Sequence, residues 1–220
     1  MAKTIYIEGG GDSDALKTEC RQAFTKFFEA TGLKTKMPRL VACGSRNTAF
    51  DKFKTAIKNG QNAMLLVDSE SPVPADTQTG KPISPWKHLK ERDGWERPTN
   101  ATDDDVHLMV QCMESWFVAD KAQFVVYYSK GNRQCTATAI PNCSDVEELD
   151  KKNVLQWLDK ASLPSGKEKY SKGSRSFEVL ATIRPEKVAG ASYHFRRLCY
   201  QLGVVDAWVG HANFNVLPSP

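Results

Sequence analysis

The sequence predicts an α/β fold: a mostly parallel sheet flanked by helices, followed by a largely helical C-terminal part. Three observations point there. The first 70 residues alternate as strand, helix, strand, helix, strand, the order that builds a parallel sheet through crossover helices. The third strand-like run, AMLLVDSE at 63–70, is nearly continuous in apolar residues, which suits a strand covered on both faces. Both intervening helix-like segments carry stop signals, Gly32 after the first and Asn59-Gly60 after the second.

Taken in order, KTIYI (3–7) is the first strand. Asp12 or Ser13 caps the next segment, where ALKTECRQAFTKFFEATG sets Leu16, Cys20, Phe24, Phe27 and Phe28 near one helix face. RLVAC (39–43) is the second strand, and a helix runs from about Asn47 to Lys58. Residues 71–102 are rich in Pro, Gly, Asp and Thr and read as a long ordered loop with one short helix, PWKHLKERD; loops of that length are often functional. DDDVHLMVQCMESWFVAD (103–120) reads as a helix whose first turn holds three aspartates, favourable at the positive end of the helix dipole. Residues 121–165 read as small helices and turns. FEVLATI and, past Pro185, EKVAGASYHFRRLCYQLG read as helices, and 205–220 as a short tail. The expected division is an α/β core over 1–125 and a mainly helical, basic portion over 126–220 packed on it. No internal repeat is visible.

With 220 residues, 40% hydrophobic and 25% charged, the chain has the composition of a soluble globular protein. No stretch approaches the roughly 20 apolar residues needed to span a bilayer. MAKTIYIEGG lacks the shape of a signal peptide, so a cytoplasmic protein with no membrane partner is expected. The six cysteines contain no CxxC pair, which argues for reduced, partly buried thiols rather than a zinc site. Net charge is +4, concentrated late: residues 161–220 hold eight Lys/Arg against four acids, while the rest balances. That excess fits an anionic partner such as nucleic acid and equally a solvated surface.

The chemistry lies in the carboxylates. Glu8 ends the first strand; Asp68 and Glu70 end the third. Ligands collect at this edge of a parallel sheet. Asp68 and Glu70 are two apart, so in an extended segment they share a face. Three carboxylates converging there would form an oxygen-rich site for Mg2+ or Mn2+, because like charges forced together need a compensating cation or proton. The competing reading is that strand ends simply turn polar at solvent. Gly9, Gly10 and Gly11 permit a sharp turn but match neither GxxxxGK[ST] nor GxGxxG, so a nucleotide-binding loop is poorly supported.

In the segment 103–120, read as a helix, His107, Gln111 and Glu114 fall on one approximate line. A carboxylate at Glu114 among so many large apolar residues is unusual unless paired. Trp86, Trp95 and Trp116 would stack bases or anchor core and loops, the second being favoured. GKEKYSKGSRS (166–176) offers Lys167, Lys169, Lys172 and Arg175 beside a glycine hinge, a segment able to follow a phosphate backbone; Arg196 and Arg197 add to it.

A hydrophobic strand ending in Glu-Gly with Asp close behind, and a later one ending in Asp-x-acid, resembles the Toprim domain. Topoisomerases, bacterial-type primases, small maturases and the overcoming-lysogenization-defect nucleases share it. More closely, YIEGGGDS (6–13), LLVDSE (65–70), HLMVQCMESWFVAD (107–120) and KGSRSFEVLATI (172–183) resemble the bacterial domain-of-unknown-function family 4276 over most of residues 3–200. The resemblance implies a Toprim-like, Rossmannoid sheet. It implies Glu8 as a metal ligand or general acid/base, Asp12 as the acid past the glycine turn, and Asp68 as the first acid of the pair. Glu70 stands where a second aspartate is usual and reaches about one bond further. Glu114 is the best candidate for a further downstream metal carboxylate, ahead of Asp120, and Lys172 for a late catalytic lysine. The implied function is Mg2+-dependent phosphodiester hydrolysis of DNA or RNA, as a phage-defence effector alongside an ABC-type ATPase. The rivals are a non-catalytic Toprim-like protein that binds an ATPase or nucleic acid, and nucleotidyl transfer. Oligomeric state is left open.

Overall fold

The structure, a computed structural model, describes residues 3–33, 36–129, 131 and 134–204; the Lys167 side chain and the tail from 205 lie outside the described residues. The first five elements are β1 (Thr4–Gly10), α1 (Asp14–Glu29), β2 (Arg39–Gly44), α2 (Arg46–Lys58) and β3 (Ala63–Asp68). After α3 (Pro85–Asp93), β4 (Val106–Met109) completes a four-stranded parallel sheet of order β2-β1-β3-β4. From β1 the chain goes outward to β2, then returns past β1 to β3. The carboxyl ends of β1 and β3 therefore flank the point where strand order reverses, the place where open α/β sheets bind ligands.

The alternation of side chains along each strand divides the core into two layers. Ile5, Ile7, Met64 and Leu66 face α1, with Phe24, Phe27 and Phe28 buried against them. Leu65 and Val67 face the opposite way, onto Phe50 and Phe53 of α2 and onto Trp86 and Trp95. Every residue of β3 is buried, as its unbroken apolar run requires. Ser13, not Asp12, caps α1, its hydroxyl accepting from the Leu16 N–H at 3.1 Å. Ser45 caps α2 in the same way through Thr48.

The C-terminal part is helical: α4 (Ser115–Ala119), α5 (Lys121–Tyr128), α6 (Lys151–Ser162), α7 (Ser174–Leu180), α8 (Pro185–Ala191) and α9 (Tyr193–Gln201). It shares the α1 layer. Trp116 stacks on Phe27 with centroids 5.3 Å apart and meets Phe195 at 5.0 Å. On the other layer Phe50 stacks on Trp95 at 4.2 Å. Trp86, Trp95 and Trp116 are thus buried anchors and offer no face to a nucleic-acid base.

One expected element is corrected. Residues 103–120 are not a helix: a 3-10 turn at Asp103–Asp105 leads into β4, then a loop, then α4. The apolar run VHLMV is too short for its spacing to separate a helix from a strand buried on both faces. Pairing decides it: Val106 to Met109 lie in parallel register with Leu65 to Asp68. The His107–Gln111–Glu114 line disappears with the helix. His107 is buried in β4, its Nε2 3.1 Å from the Asp104 carbonyl oxygen.

All six cysteines are free, four of them buried, and burial pushes the Cys20 thiol up to about 12, which keeps it protonated and unreactive. Among the described residues no helix is long and apolar enough to cross a membrane.

Candidate metal centre

The glycines at the end of β1 set the backbone of the site. Gly10 has φ 92°, and a Cβ there would lie 2.6 Å from the Lys17 Cα. A Cβ on Gly44, at the end of β2, would meet the Gly11 carbonyl oxygen at 2.3 Å. Only glycine tolerates this approach of β1, β2 and α1. The turn leaves Glu8 pointing across the sheet edge: its Oε2 accepts the Asp68 N–H at 3.1 Å. Asp68 in turn accepts the Met113 N–H at Oδ1, 2.9 Å.

Glu70 is held by a strained backbone. Its φ is 65°, a region that non-glycine residues seldom adopt and that persists only where the surroundings impose it. Here the β4 side imposes it. The Ser69 N–H donates to the Met109 carbonyl at 3.0 Å, and the Glu70 N–H to the Gln111 carbonyl at 2.8 Å. The result is that one oxygen each of Glu8, Asp68 and Glu70 lies within 4.8 Å of the others.

Crowding and burial show in the ionisation of these groups. Burial pushes the Asp68 carboxyl well above its ordinary value, helped by the neighbouring charges of Glu8 and Glu114. Burial also raises Glu8, although Arg46 opposes it. Glu70 goes the other way: its burial is outweighed by the ammonium of Lys151 and by Arg46, which hold it low. Lys151 Nζ stands 2.6 Å from Glu70 and 3.6 Å from Asp68. Arg46 Nη1 lies 3.8 Å from Glu8 and 3.9 Å from Glu70, and donates to the Asp68 carbonyl at 3.1 Å. Its other terminal nitrogen donates to Asp93 at 2.7 Å.

A cavity of about 330 Å³ opens beside the cluster. Glu8, Asp68, Glu114, Lys172 and Phe177 are among the residues that line it. Glu114, just before α4, is buried and accepts a hydrogen bond from the Tyr170 hydroxyl at 2.8 Å. The Tyr170 and Ser176 hydroxyls lie 3.0 Å apart. Lys172 Nζ is 3.7 Å from Glu114, on a half-exposed side chain.

The structure therefore brings Glu8, Asp68 and Glu70 together, and Glu114 and Lys172 line the same cavity as Glu8 and Asp68. It leaves others out. Asp12 is exposed on the turn and belongs neither to the cluster nor to the cavity lining. Asp120 is committed to Arg184, which binds it through two side-chain nitrogens at 2.9 and 2.6 Å. Arg196 and Arg197 are tied to backbone: Arg196 donates to the Ala189 carbonyl of α8 at 2.7 Å, and Arg197 donates to the Val106 carbonyl at 2.8 Å, fastening α9 to the start of β4. Both side chains are partly buried, and their guanidinium groups satisfy backbone carbonyls there. Lys169 is exposed and paired with Asp159 at 3.2 Å, and Arg175 with Glu178 at 3.0 Å.

Three residues that the structure brings to the site were not among the sequence candidates: Arg46, Lys151 and Tyr170. Arg46 had a usable signal, since it follows β2 at the same sheet edge as Glu8. Lys151 and Tyr170 had none, because each reaches the site only through long-range packing. The donor set is all oxygen, with no histidine or cysteine in the cluster, which fits a hard divalent cation such as Mg2+ or Mn2+.

A family described as a domain of unknown function (DUF4276) matches residues 7–203. No curated protein and no solved structure matches the chain.

Proposed function

The chain belongs to the DUF4276 family, and we propose that it is a Toprim-like, metal-dependent hydrolase of phosphodiester bonds in DNA or RNA. The observation that carries this reading is the convergence of Glu8, Asp68 and Glu70 within 4.8 Å at the strand-order reversal of a parallel sheet. Glu8 and Asp68, with Glu70 and Glu114 beside them, would hold Mg2+ or Mn2+. Such an ion, when bound, supplies a hydroxide nucleophile at neutral pH and offsets charge on the scissile phosphate.

The chain's own residues do the rest. Gly9 to Gly11 line the cavity with backbone alone, beside the carboxylates. Lys172, at the rim, offers an ammonium to the phosphoryl oxygens as negative charge develops. Tyr170 holds Glu114 at the cavity by donating its hydroxyl to one carboxylate oxygen. Lys167, Lys169 and Arg175, in the same stretch, extend the path along a nucleic-acid backbone. In this reading residues 1–125 carry the acidic ligands and Arg46, and the portion from 126 onward supplies Lys151 and Lys172. The resemblance to defence-associated family members supports an ABC-type ATPase as partner and the cytoplasm as the place of action.

The test is purified protein with Mg2+ or Mn2+ on plasmid, single-stranded DNA and RNA. Cleavage that depends on the metal and disappears in Glu8→Ala and Asp68→Ala supports the proposal; cleavage that survives either substitution rejects it. One observation favours the non-catalytic alternative: Arg46 and Lys151 already offset part of the cluster's charge. Tight ATPase or nucleic-acid binding by a protein that takes up no divalent ion would select that reading.

A further inference from the structure

The two edges of the sheet are treated differently. In the order β2-β1-β3-β4 the edge strands are β2 and β4. β4 has α9 against it, and Arg197 of that helix donates to the Val106 carbonyl at 2.8 Å. β2 pairs with β1 on one side, and among the described residues no strand pairs with its other side. The N–H and C=O of one strand residue point to the same side, and that side alternates along the strand. The Arg39 N–H donates to the Lys3 carbonyl at 2.8 Å, so Arg39 and Val41 turn their backbone groups to β1. Leu40 and Ala42 turn theirs outward. An open edge of this kind is a template for another strand.

A groove of about 330 Å³ runs along this edge, lined by β2 from Arg39 to Ala42 and by Asp14, Lys17, Thr18 and Arg21 of α1. The α1 residues fall at i, i+3, i+4 and i+7, which is one helix face. α1 connects two parallel strands and so runs back against them. Asp14 therefore stands where the strands end, and Arg21 and Arg39 where β2 begins. Arg21 lies two turns, about 10 Å, from Asp14, and Ala42 lies about 10 Å along the strand from Arg39. All three charged residues are exposed. Lys17, between them, bends back to its own turn, 3.2 Å from the Asp12 carbonyl and 3.6 Å from Asp14.

A groove that is acidic at one end and basic at the other is complementary to itself after a half-turn. Two β2 edges pairing antiparallel about Val41 oppose Leu40 of one copy to Ala42 of the other, and their outward N–H and C=O groups exchange hydrogen bonds. The same two-fold lays Asp14 of each copy against Arg21 and Arg39 of the other. Parallel pairing would instead set like charges side by side.

We propose that β2 is a dimerisation strand and that its occupant is a second copy of this chain. The two copies join edge to edge about a two-fold axis at Val41, which merges two four-stranded sheets and leaves neither β2 edge open. The contact is isologous, so assembly stops at two. It requires no metal and stands independently of the hydrolase reading.

The experiment is sedimentation velocity on the full chain at low salt, over about a hundredfold range of concentration. Wild type is expected to reach the mass of two chains at the upper end. Ala42→Pro removes one outward N–H at an edge position, where proline is tolerated, and should weaken the dimer about tenfold or more. Asp14→Arg and Arg21→Glu should each weaken it about fivefold. The two combined restore opposite charges across the seam and should dimerise more tightly than either alone. A wild type that stays monomeric, a dimer unmoved by Ala42→Pro, or a reversed pair no tighter than the single variants overturns the proposal. Should Ala42→Pro fail to fold, as judged by circular dichroism, the charge variants, both at exposed helix positions, decide alone.

Discussion

Two sets of buried carboxylates in this molecule are treated in opposite ways. Asp120 and Glu147 are saturated. Asp120 accepts three hydrogen bonds from Arg184, including the backbone N–H at 3.0 Å. Glu147 accepts from the Ser192 hydroxyl at 2.5 Å, the His194 N–H at 2.7 Å and the His194 ring at 2.8 Å. Each is a lone acid matched by donors, and each pins a C-terminal helix. Glu8 and Asp68 instead stand beside other acids, and both are pushed toward the protonated form. Burial alone therefore does not identify a functional acid, since all four are buried or nearly so. The difference is whether the surroundings supply donors or further negative charge, and a site that supplies negative charge is one arranged for a cation.

The largest expected effect sharpens that distinction. Glu8→Ala or Asp68→Ala should lower metal-dependent cleavage by about 10³-fold or more, roughly 4 kcal/mol of barrier, with Mn2+ binding lost and the circular dichroism spectrum unchanged. Asp120→Ala should instead act on the fold. It removes the three hydrogen bonds that Arg184 makes to a buried carboxylate and should cost about 2 kcal/mol of stability, the half-exposed guanidinium being left to solvent, read from urea denaturation. If Asp120→Ala proves as stable as wild type, the structural assignment of that acid is wrong.

Much of this contrast was legible in the residues, and its gaps have physical causes. The β1, β2 and β3 segments and the positions of Glu8, Asp68 and Glu70 follow from local apolar runs that end in acids, a signal confined to a few residues each. Residues 103–120 depart from the expected helix because a short run buried on all sides fits strand and helix spacing equally, and only pairing with β3 separates them. Lys151 lies 81 positions from Glu70 in sequence, and no periodicity reports a contact of that range. Arg197 looked like a phosphate contact because sequence shows its charge but not the Val106 carbonyl it serves.

A smaller effect tests the lysine that lines the cavity. Lys172→Ala should reduce the rate of cleavage by about tenfold to fiftyfold, the scale for losing one cation near a developing charge, with Mn2+ affinity nearly unchanged because the lysine is not a ligand. A loss confined to substrate affinity would make Lys172 a binding residue only. Asp68→Asn should sharpen the comparison from the stability side. Removing one charge from the crowd while keeping an acceptor for the Met113 N–H should stabilise the metal-free protein by about 1 kcal/mol, raising Tm by roughly 2–4 °C.

The smallest effect is a change of sign with pH in metal-free protein. Asp68 has a folded pKa raised above its unfolded value by burial and by the charges of Glu8 and Glu114. Its contribution to stability is present below the unfolded value near 3.8 and is lost as pH rises through the folded one. Glu147 is the reverse: burial is outweighed by hydrogen bonds from His194 and Ser192, so its folded pKa lies below 4.5. Its contribution is present above that value and is lost as pH falls through the folded one. Urea denaturation from pH 8 to pH 4 should therefore show wild type gaining on Asp68→Asn as the solution is acidified. Measured against Glu147→Gln, wild type should keep its advantage down to about pH 4.5 and lose it below, where the carboxylate takes up its proton. Equal slopes for the two comparisons would mean that the strand-end acids are as well matched as the structural ones, and the reason to seek a cation between them would be gone.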